Sequence, residues 1–415
     1  MQVKFMVTKK RRLLIGATAA IALTTAAVTV AGPRLSQSQA SFQDSPKELV
    51  DEVWQVIDKT YVDGKFNNLN WIAVRNEYLK RSYANKEEAY KAIREMLGKL
   101  GDVYTRFMDP EEFKNMQIDT SGELTGVGLQ LAKDEQTKQL VVIAPIEDTP
   151  AFKAGILAKD VIIKIDGKST EGMEVDQAVK LIRGKEGTPV TLTIKRGEKE
   201  TDYPLVRQRI EIHPVRAQVE ETPIGKIGYI RLNQFSAHAG DEMGDAIRDL
   251  ESKSVKGYVL DLRSNPGGLL YASIEIARMW MDEGKIVSTV SRSGPDENYR
   301  TSHTALTNKP LVVLVDGGSA SASEILSGAL QDNKRAMLVG TKTFGKGLVQ
   351  SVRPLGDGSG LAVTISKYLT PSGRDINKHG IMPDVTVELS DVERKAIDRK
   401  STRLNSSHTV ISYAV

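Results

Sequence analysis

Three successive patterns of apolar and polar positions divide this chain. In residues 46–112 apolar side chains recur every three or four positions, a period that predicts amphipathic helices. Residues 115–207 contain short apolar runs that predict a small, mostly β domain, with an amphipathic helix at residues 175–182. In residues 208–390 β-branched runs alternate with helical periods. The whole pattern predicts a multidomain α/β protein with a helical N-terminal region.

The third region contains clear apolar strands and helices in alternation. The predicted strands are residues 228–232, 257–262 and 311–315, and the predicted helices are residues 238–250, 270–281 and 323–330. A serine-rich segment, residues 319–323, separates the last of these strands from the last helix. It therefore lies at a strand-to-helix turn.

The first 40 residues have the features of an export signal. Residues 9–12 are basic, residues 13–31 are apolar and uncharged, and Ser38 and Ala40 supply the small side chains that a signal peptidase inspects. An apolar run of this length also suffices to span a bilayer. We expect residues 1–40 to be a signal peptide, with retention as a membrane anchor as the alternative.

The other end of the chain carries an unrelated pattern. Residues 398–408 match the translation of a common sequencing-library adapter. We therefore expect residues 398–415 to be a sequencing artefact, with an ordinary disordered tail as the alternative, and we assign no function to His408.

Composition narrows the class of protein. The chain has 415 residues, of which 40% are apolar and 27% charged, enough for two or three cores. Its net charge is +4 and its basic residues are dispersed, which argues against nucleic-acid binding. The absence of cysteine excludes disulfides, a thiol nucleophile and cysteine-ligated zinc.

Ser321 and Lys346 are the candidates for catalysis. Ser321 lies at the start of a predicted helix, where unpaired N–H groups and the helix dipole stabilise an oxyanion. Lys346 lies between Gly345 and Gly347 and precedes apolar residues, a setting that suits a buried amine. Burial lowers the pKa of lysine, so that the neutral amine can act as a base. Gln350 is placed to orient that amine by an uncharged hydrogen bond.

Simpler interpretations apply to each of these residues alone. Ser319 or Ser323 is expected to be the N-cap of the helix, and a lysine between glycines is commonly a solvated turn residue. A Ser-His-Asp arrangement with His303 or His379 as the base also remains open. The histidines lack metal-binding spacing, and we predict no metal site.

A family resemblance favours the Ser-Lys interpretation. The segments Gly-Ser-Ala-Ser-Ala-Ser-Glu-Ile and Gly-x-x-x-x-Gly-Lys-Gly-x-x-Gln resemble those of the carboxyl-terminal processing peptidases, serine proteases with a Ser-Lys dyad. The resemblance extends from about residue 48 to about residue 387. It implies Ser321 as nucleophile, Lys346 as general base, Gln350 as supporting residue, a crotonase-like core and no cofactor. Residues 102–108 are similar to a family signature, but we predict no catalytic role there.

Residues 115–207 resemble a PDZ domain. Its carboxylate-binding loop would be Gly126, Val127, Gly128 and Leu129, where successive backbone N–H groups converge on a peptide terminus. A PDZ domain binds an extended chain end as an added strand. The resemblance therefore implies protein or peptide substrates with free C-termini.

Residues 264–268 form a glycine-containing loop after a predicted strand. We expect Gly267 or Gly268 to supply one oxyanion N–H group and Ala322 the other, with a simple turn as the alternative.

Together these features predict an exported serine endopeptidase that cleaves near the C-terminus of its substrate. The resemblance is nearest to cyanobacterial and chloroplast members, which implies maturation of a photosystem II reaction-centre polypeptide in the thylakoid lumen. Removal of damaged envelope proteins in the periplasm is an alternative substrate assignment. A non-catalytic PDZ scaffold or a ligand-binding relative of the fold is the rival class. Peripheral membrane association and oligomeric state remain open.

Overall fold

The computed structural model describes residues 45–134, 136–388 and 412–414. The predicted export signal lies outside the described residues, and so does the predicted adapter-derived tail apart from residues 412–414. Within the described ranges, no helix is both long enough and apolar enough to cross a membrane.

The N-terminal region is helical, and its helices begin at defined caps. The Asn85 side chain accepts the N–H of Glu88, and Asp109 forms a capping box with Glu112. Gly122 ends this region in the left-handed conformation. The elements are α1 (Pro46–Thr60), a 3₁₀ turn (Phe66–Asn68), α2 (Trp71–Lys80), α3 (Lys86–Gly98), β1 (Arg106–Met108) and α4 (Pro110–Ser121).

The next region is mostly β. Its elements are β2 (Glu123–Gly126), β3 (Leu129–Lys133), β4 (Leu140–Pro145), α5 (Pro150–Lys153), β5 (Val161–Ile165), β6 (Lys168–Ser169), α6 (Val175–Ile182), β7 (Pro189–Arg196), β8 (Lys199–Val206) and β9 (Gln208–Glu211). The antiparallel sheet has the order β3-β4-β5-β7-β8, with β6 paired to β5, while β2 pairs with β9. The apolar face of α6 contributes Ala178, Val179 and Ile182 to the core.

The third region has the predicted α/β order. Its elements are β10 (Val215–Thr222), β11 (Gly225–Leu232), α7 (Ala239–Ser252), β12 (Gly257–Asp261), α8 (Leu270–Trp280), β13 (Lys285–Ser291), β14 (Gly294–Arg300), β15 (Leu311–Val315), α9 (Ala322–Asp332), β16 (Met337–Gly340), β17 (Leu348–Pro354), β18 (Gly360–Leu369) and β19 (Val385–Thr386).

Two sheets organise this region. The first has the order β10-β11-β12-β15-β16-β19, and it is parallel from β11 onward. The second has the order β1-β18-β13-β14, with β17 also paired to β18. Because β1 comes from the N-terminal region, that region is joined to the second sheet.

The N-terminal helices complete their core with residues of the third region. Leu361 and Val363 of β18 belong to the same buried apolar cluster as Val53, Ile57 and Ile93. Short helices bury too little apolar surface for independent stability, so this shared cluster holds β1 against β18.

A last strand, β20 (Ser412–Ala414), pairs antiparallel with the free edge of β3. Ser412 lies opposite Leu131, and Ala414 lies opposite Leu129. The edge of β3 thus accommodates an extended segment whose residue 414 lies opposite Leu129 of the Gly126–Leu129 loop.

One predicted detail is wrong. The N-cap of α9 is Ser321, and neither Ser319 nor Ser323 occupies that position. Both flanking serines are fully buried, and their hydroxyl groups donate to the carbonyls of Leu262 and Asn265. These hydroxyl groups therefore bond the start of α9 to the segment 262–265 and do not cap the helix.

Candidate active site

A cleft lies where loops leave the carboxyl ends of β12 and β15, the edge at which parallel sheets commonly bind ligands. It has a volume of about 300 Å³. Its walls include the predicted residues Ser321, Lys346, Gln350, Gly268 and Ala322, and the apolar side chains Met108, Met116, Leu269 and Ile325. The structure therefore brings the predicted nucleophile, base and one oxyanion pair to one site.

Ser321 has an unusual backbone conformation. Its φ is 55° and its ψ is −112°, a region that residues with a Cβ atom rarely adopt. Such a conformation persists only where surrounding contacts hold it. It directs the chain sharply into α9, whose N-terminus carries the helix dipole.

Glu324 joins the turn at Ser321 to the loop at Lys346. This fully buried carboxylate accepts the N–H groups of Ser321 and Lys346 on Oε2, each at 2.9 Å. Its Oε1 accepts the Thr343 hydroxyl at 2.6 Å and the Gly345 N–H at 2.8 Å. Four donors thus satisfy a charge that would otherwise be costly to bury.

Tyr368 contacts the backbone carbonyl groups of the same two residues. Its hydroxyl donates to the carbonyl oxygen of Lys346 and lies 3.2 Å from that of Ser321. Burial raises the pKa of the Tyr368 phenol well above its ordinary value. The hydroxyl therefore stays protonated and remains a donor.

Lys346 is half-buried and has an amine without a charged partner. In the described part of the chain, no hydrogen bond or ion pair reaches Nζ, which lies 4.9 Å from the centre of the Tyr104 ring. Burial lowers the pKa of Lys346, and the charge of Arg106 lowers it further, whereas Asp102 and Glu324 oppose this change. The net effect favours a neutral amine.

The Ser321 and Lys346 side chains share the cleft without a direct hydrogen bond. Among the described residues, no hydrogen bond connects the Ser321 hydroxyl to Lys346 Nζ. Catalytic hydrogen bonds are often long before substrate binds. Gln350 is likewise in the cleft, where its amide lies 3.4 Å from the Thr364 hydroxyl, and its predicted contact with Lys346 is not formed here.

The two glycines of the 264–268 loop differ in their backbone bonding. The Gly267 N–H donates to Asn265 Oδ1 at 2.9 Å, whereas the N–H groups of Gly268 and Ala322 have no acceptor among the described residues. Gly268 has a φ of 142°, and a Cβ atom there would lie 2.3 Å from the carbonyl oxygen of Phe235. Gly268 and Ala322 are therefore the available pair of N–H donors.

The aspartates at the strand ends shape these loops. Asp316 Oδ1 accepts the N–H groups of Ser264 and Gly318. Asp261 is fully buried and forms ion pairs with Arg231 and Arg263. Neither aspartate lines the cleft, so both shape the loops beside it.

The histidines lie elsewhere. His213, His238 and His303 pair with Glu242, Glu123 and Asp282 respectively. Neither His303 nor His379 lines the cleft, so the positions of these histidines do not support a Ser-His-Asp arrangement. Among the described residues no cluster of three or more histidine, aspartate or glutamate side chains is arranged to hold a metal ion.

The Gly126–Leu129 loop has the geometry of an anion-binding turn. Gly128 has a φ of 80°, and a Cβ atom there would lie 2.2 Å from the Thr149 side chain. The N–H groups of Val127 and Gly128 have no acceptor in the described ranges. These groups are free to bind a carboxylate next to the β3 edge.

The sequence analysis missed several residues of the cleft. Tyr104 and Arg106 lie in it, although no role was predicted for residues 102–108. The pattern Ser-x-x-Glu at residues 321–324 was a readable signal for Glu324, because a glutamate three residues after an N-cap commonly bonds back to it. Tyr368 gave no local signal, since it is 47 residues from Ser321.

Two family models match the chain. Residues 226–387 match peptidase family S41, and residues 115–195 match the PDZ domain. A PDZ domain together with a serine peptidase core is the class of protein that this fold and cleft define.

The chain belongs to the carboxyl-terminal-processing proteases of peptidase family S41. It is 48% identical to the carboxyl-terminal-processing protease of Synechocystis sp., over 85% of this chain and 83% of that protein. It is 43% identical to the chloroplastic carboxyl-terminal-processing peptidase 2 of Arabidopsis thaliana, over 80% of this chain and 67% of that protein. A solved photosystem II D1 C-terminal processing protease matches with a TM-score of 0.56 and 37% identity, over 88% of this chain and 98% of its own. The predicted fold and enzyme classes are confirmed: the protein is a serine-type carboxyl-terminal-processing peptidase, which acts on protein substrates.

Proposed function

We propose that this peptidase works through a Ser321–Lys346 dyad. The observation that carries the proposal is the setting of Lys346: its amine faces the cleft of Ser321, has no carboxylate partner among the described residues, and has a lowered pKa. A neutral amine is what a serine hydroxyl requires as its base. Gln350, which lines the same cleft, is the residue that we assign to support this amine.

The reaction follows from this assignment. Ser321 Oγ attacks the scissile carbonyl carbon while its proton passes to Lys346 Nζ. The carbonyl electrons move to oxygen, where the N–H groups of Gly268 and Ala322 hold the oxyanion. Collapse expels the new amine, which takes the proton from Lys346. The same lysine then deprotonates a water molecule, which attacks the acyl carbon; the bond from this carbon to Ser321 Oγ breaks, and Oγ takes the proton back from Lys346.

Recognition of the substrate's free C-terminus is the second part of the proposal. The terminal carboxylate binds the N–H groups of residues 126–129, and the preceding residues extend β3 as an added strand. The pairing of β20 with β3 supports this mode of binding. β20 occupies the β3 edge that the substrate would occupy, and it runs antiparallel to β3, so that its chain direction leads toward the loop.

The substrate class and compartment follow from the relatives. One relative is a chloroplastic peptidase, and another is named for processing of photosystem II D1. We propose export through residues 1–40 to the thylakoid lumen, where a photosystem II polypeptide with a C-terminal extension is cleaved. Peripheral membrane association would bring the enzyme to such a substrate.

One experiment tests activity and recognition together. The protein without residues 1–40 is incubated with peptides that carry a free or an amidated apolar C-terminus, and the products are mapped by mass. We expect internal cleavage of the free-acid peptide, which Ser321→Ala abolishes. Binding without cleavage by the unsubstituted protein would instead support the PDZ scaffold.

Export has a separate test. Immunoblots of membrane and soluble fractions should show the processed form in the soluble lumenal fraction. Only full-length protein in the membrane fraction would support the anchor.

A further inference from the structure

The Tyr368 hydroxyl lies between the backbones of the two proposed dyad residues. Tyr368 is 1% exposed, and its side chain belongs to the apolar core between β18 and α9. Its hydroxyl bonds to the carbonyls of Lys346 and Ser321, which are separated by 25 positions in the sequence. A phenol buried this deeply needs a partner, and here both of its partners belong to the site.

Glu324 completes the arrangement from the opposite side. The carboxylate accepts the N–H groups of Ser321 and Lys346, while the Tyr368 hydroxyl binds their carbonyl oxygens. Each of the two residues is therefore held at both of its backbone polar groups. The same two side chains do this for both residues.

The backbone adds one direct contact between the two loops, from the Phe344 N–H to the Ser319 carbonyl oxygen at 3.1 Å. Ser321 has a strained backbone, and Lys346 lies in a segment between β16 and β17 that has no regular structure. Gly345 before it has a φ of 95°. In the part of the chain that the structure describes, Glu324 and Tyr368 are the side chains that bond to both Ser321 and Lys346 themselves, so we assign to them the distance from the nucleophile to the base.

We propose that Tyr368 is a positioning residue of the peptidase, whose hydroxyl, opposite the Glu324 carboxylate, fixes Lys346 relative to Ser321. This inference rests on the proposed dyad. Tyr368 takes no proton from the substrate, because its hydroxyl is directed at the two carbonyls. It acts by keeping Nζ within reach of the serine when substrate binds. A displacement of about 1 Å is sufficient to slow an enzyme by about 100-fold.

The test uses Tyr368→Phe, which removes one oxygen and leaves the ring in place. We expect kcat to fall by about 10- to 100-fold while KM for a cleavable peptide stays within about twofold, because the apolar walls and the PDZ loop are unchanged.

Tyr258→Phe is the matched control. Tyr258 is 2% exposed, and its hydroxyl bonds to Glu251, away from the cleft. We expect this control to lose similar thermal stability and to keep its kcat.

A second variant separates positioning from a general loss of stability. Each oxygen of Glu324 accepts two hydrogen bonds. In Glu324→Gln one of these oxygens becomes an NH₂ group, which cannot accept, so two of the four donors lose their acceptor and we expect a comparable fall in kcat. Removing this carboxylate also lowers the pKa of Lys346, so the pH midpoint of kcat should move to lower pH, and in Tyr368→Phe it should not. If both side chains hold one geometry, the double variant loses less than the product of the two single losses.

The outcomes are distinct. Wild-type kcat in Tyr368→Phe, with Ser321→Ala inactive, overturns the positioning role and leaves the dyad in place. Multiplicative losses in the double variant also overturn it. Cleavage by Ser321→Ala removes the dyad itself. If Tyr368→Phe does not fold, the pH shift and activity loss of Glu324→Gln decide, and an unchanged kcat there rejects the inference.

Discussion

The Nζ atom of Lys346 lies 4.9 Å from the centre of the Tyr104 ring. An aromatic face stabilises an ammonium group less than a hydrogen-bonded carboxylate does, so this contact orients the amine without fixing its charge. Burial and the charge of Arg106 outweigh the opposing carboxylates and lower the pKa of Lys346. The neutral base is therefore available at a lower pH than in an exposed lysine.

We predict that kcat rises with pH through this lowered pKa, because the neutral amine is the active form. Arg106→Gln removes a cation, which raises the pKa of Lys346 and should move the midpoint to higher pH. The measurement is the pH profile of kcat at saturating peptide. Arg248→Gln, an exposed change on α7, should leave the midpoint unchanged. A shift to lower pH in Arg106→Gln would contradict the assigned electrostatics.

The three serines of the motif provide a second test. Ser321→Ala should reduce peptide cleavage by about 10⁴-fold or more and leave the fold intact. Ser319→Ala and Ser323→Ala should keep part of the activity and lose about 0.5 to 1.5 kcal/mol of unfolding free energy, because each removes one buried hydrogen bond while the accepting carbonyl keeps its backbone donor. Peptide kinetics and urea unfolding measure both effects. An inactive Ser319→Ala beside an active Ser321→Ala would show that the nucleophile was chosen wrongly.

This serine turn could largely be predicted from sequence, because its signals are local. An apolar strand, a run of small residues and a helix period occur in succession, and β15 has the predicted bounds. The 264–268 loop was recognisable for the same reason, from its two glycines after a strand, and its oxyanion role stays a prediction. Sequence could not decide between Gly267 and Gly268, since that depends on which N–H the Asn265 side chain accepts.

Contacts between distant segments could not be predicted in this way. Residues 102–108 enter the cleft because β1 pairs with β18, with Phe107 opposite Leu361. Periodicity describes neither this pairing nor the contact of the Tyr368 hydroxyl with two loops. A pattern of apolar positions reports which face of an element is buried, but it does not report which element covers that face.

The lowered pKa of Lys346 also reduces the stability of the folded protein at the pH values where the unfolded chain binds an additional proton. Its pKa is lower in the folded protein than in the unfolded chain, so between those two values the unfolded chain binds more protons. The contribution of this residue to stability is therefore least favourable at low pH and improves as pH rises through that window. Lys346→Met has no such dependence.

We expect Lys346→Met to be inactive and more stable than the unsubstituted protein at neutral pH, with the difference shrinking toward alkaline pH. Lys346→Arg should also be inactive, because a guanidinium stays charged. Thermal unfolding at a series of pH values is the measurement, and Lys342→Met, at an exposed neighbour, is the control. Activity in Lys346→Arg would assign the base to another residue.

The PDZ loop can be tested by backbone substitution. Gly128→Val places a side chain against Thr149 at a positive φ, and it should weaken peptide binding by at least tenfold. Gly155 has a nearly identical φ of 79° but open space around its Cβ position. Gly155→Val therefore reproduces the backbone strain without obstructing the loop, and its peptide affinity should stay near that of the parent protein. Equal losses in the two variants would attribute the effect to strain alone.

The last prediction concerns the terminal carboxylate itself. A peptide acid bound by the N–H groups of Val127 and Gly128 makes charge-assisted hydrogen bonds worth about 1.5 to 3 kcal/mol each, and amidation removes the charge. The Ser321→Ala protein should therefore bind the acid at least tenfold more tightly than the amide, a difference of about 1.4 kcal/mol. Isothermal titration with matched peptides measures this directly, and the inactive serine variant prevents cleavage during the titration. Equal affinity for the two peptides would remove the loop from substrate choice, and the peptidase would then select unfolded segments through its cleft alone.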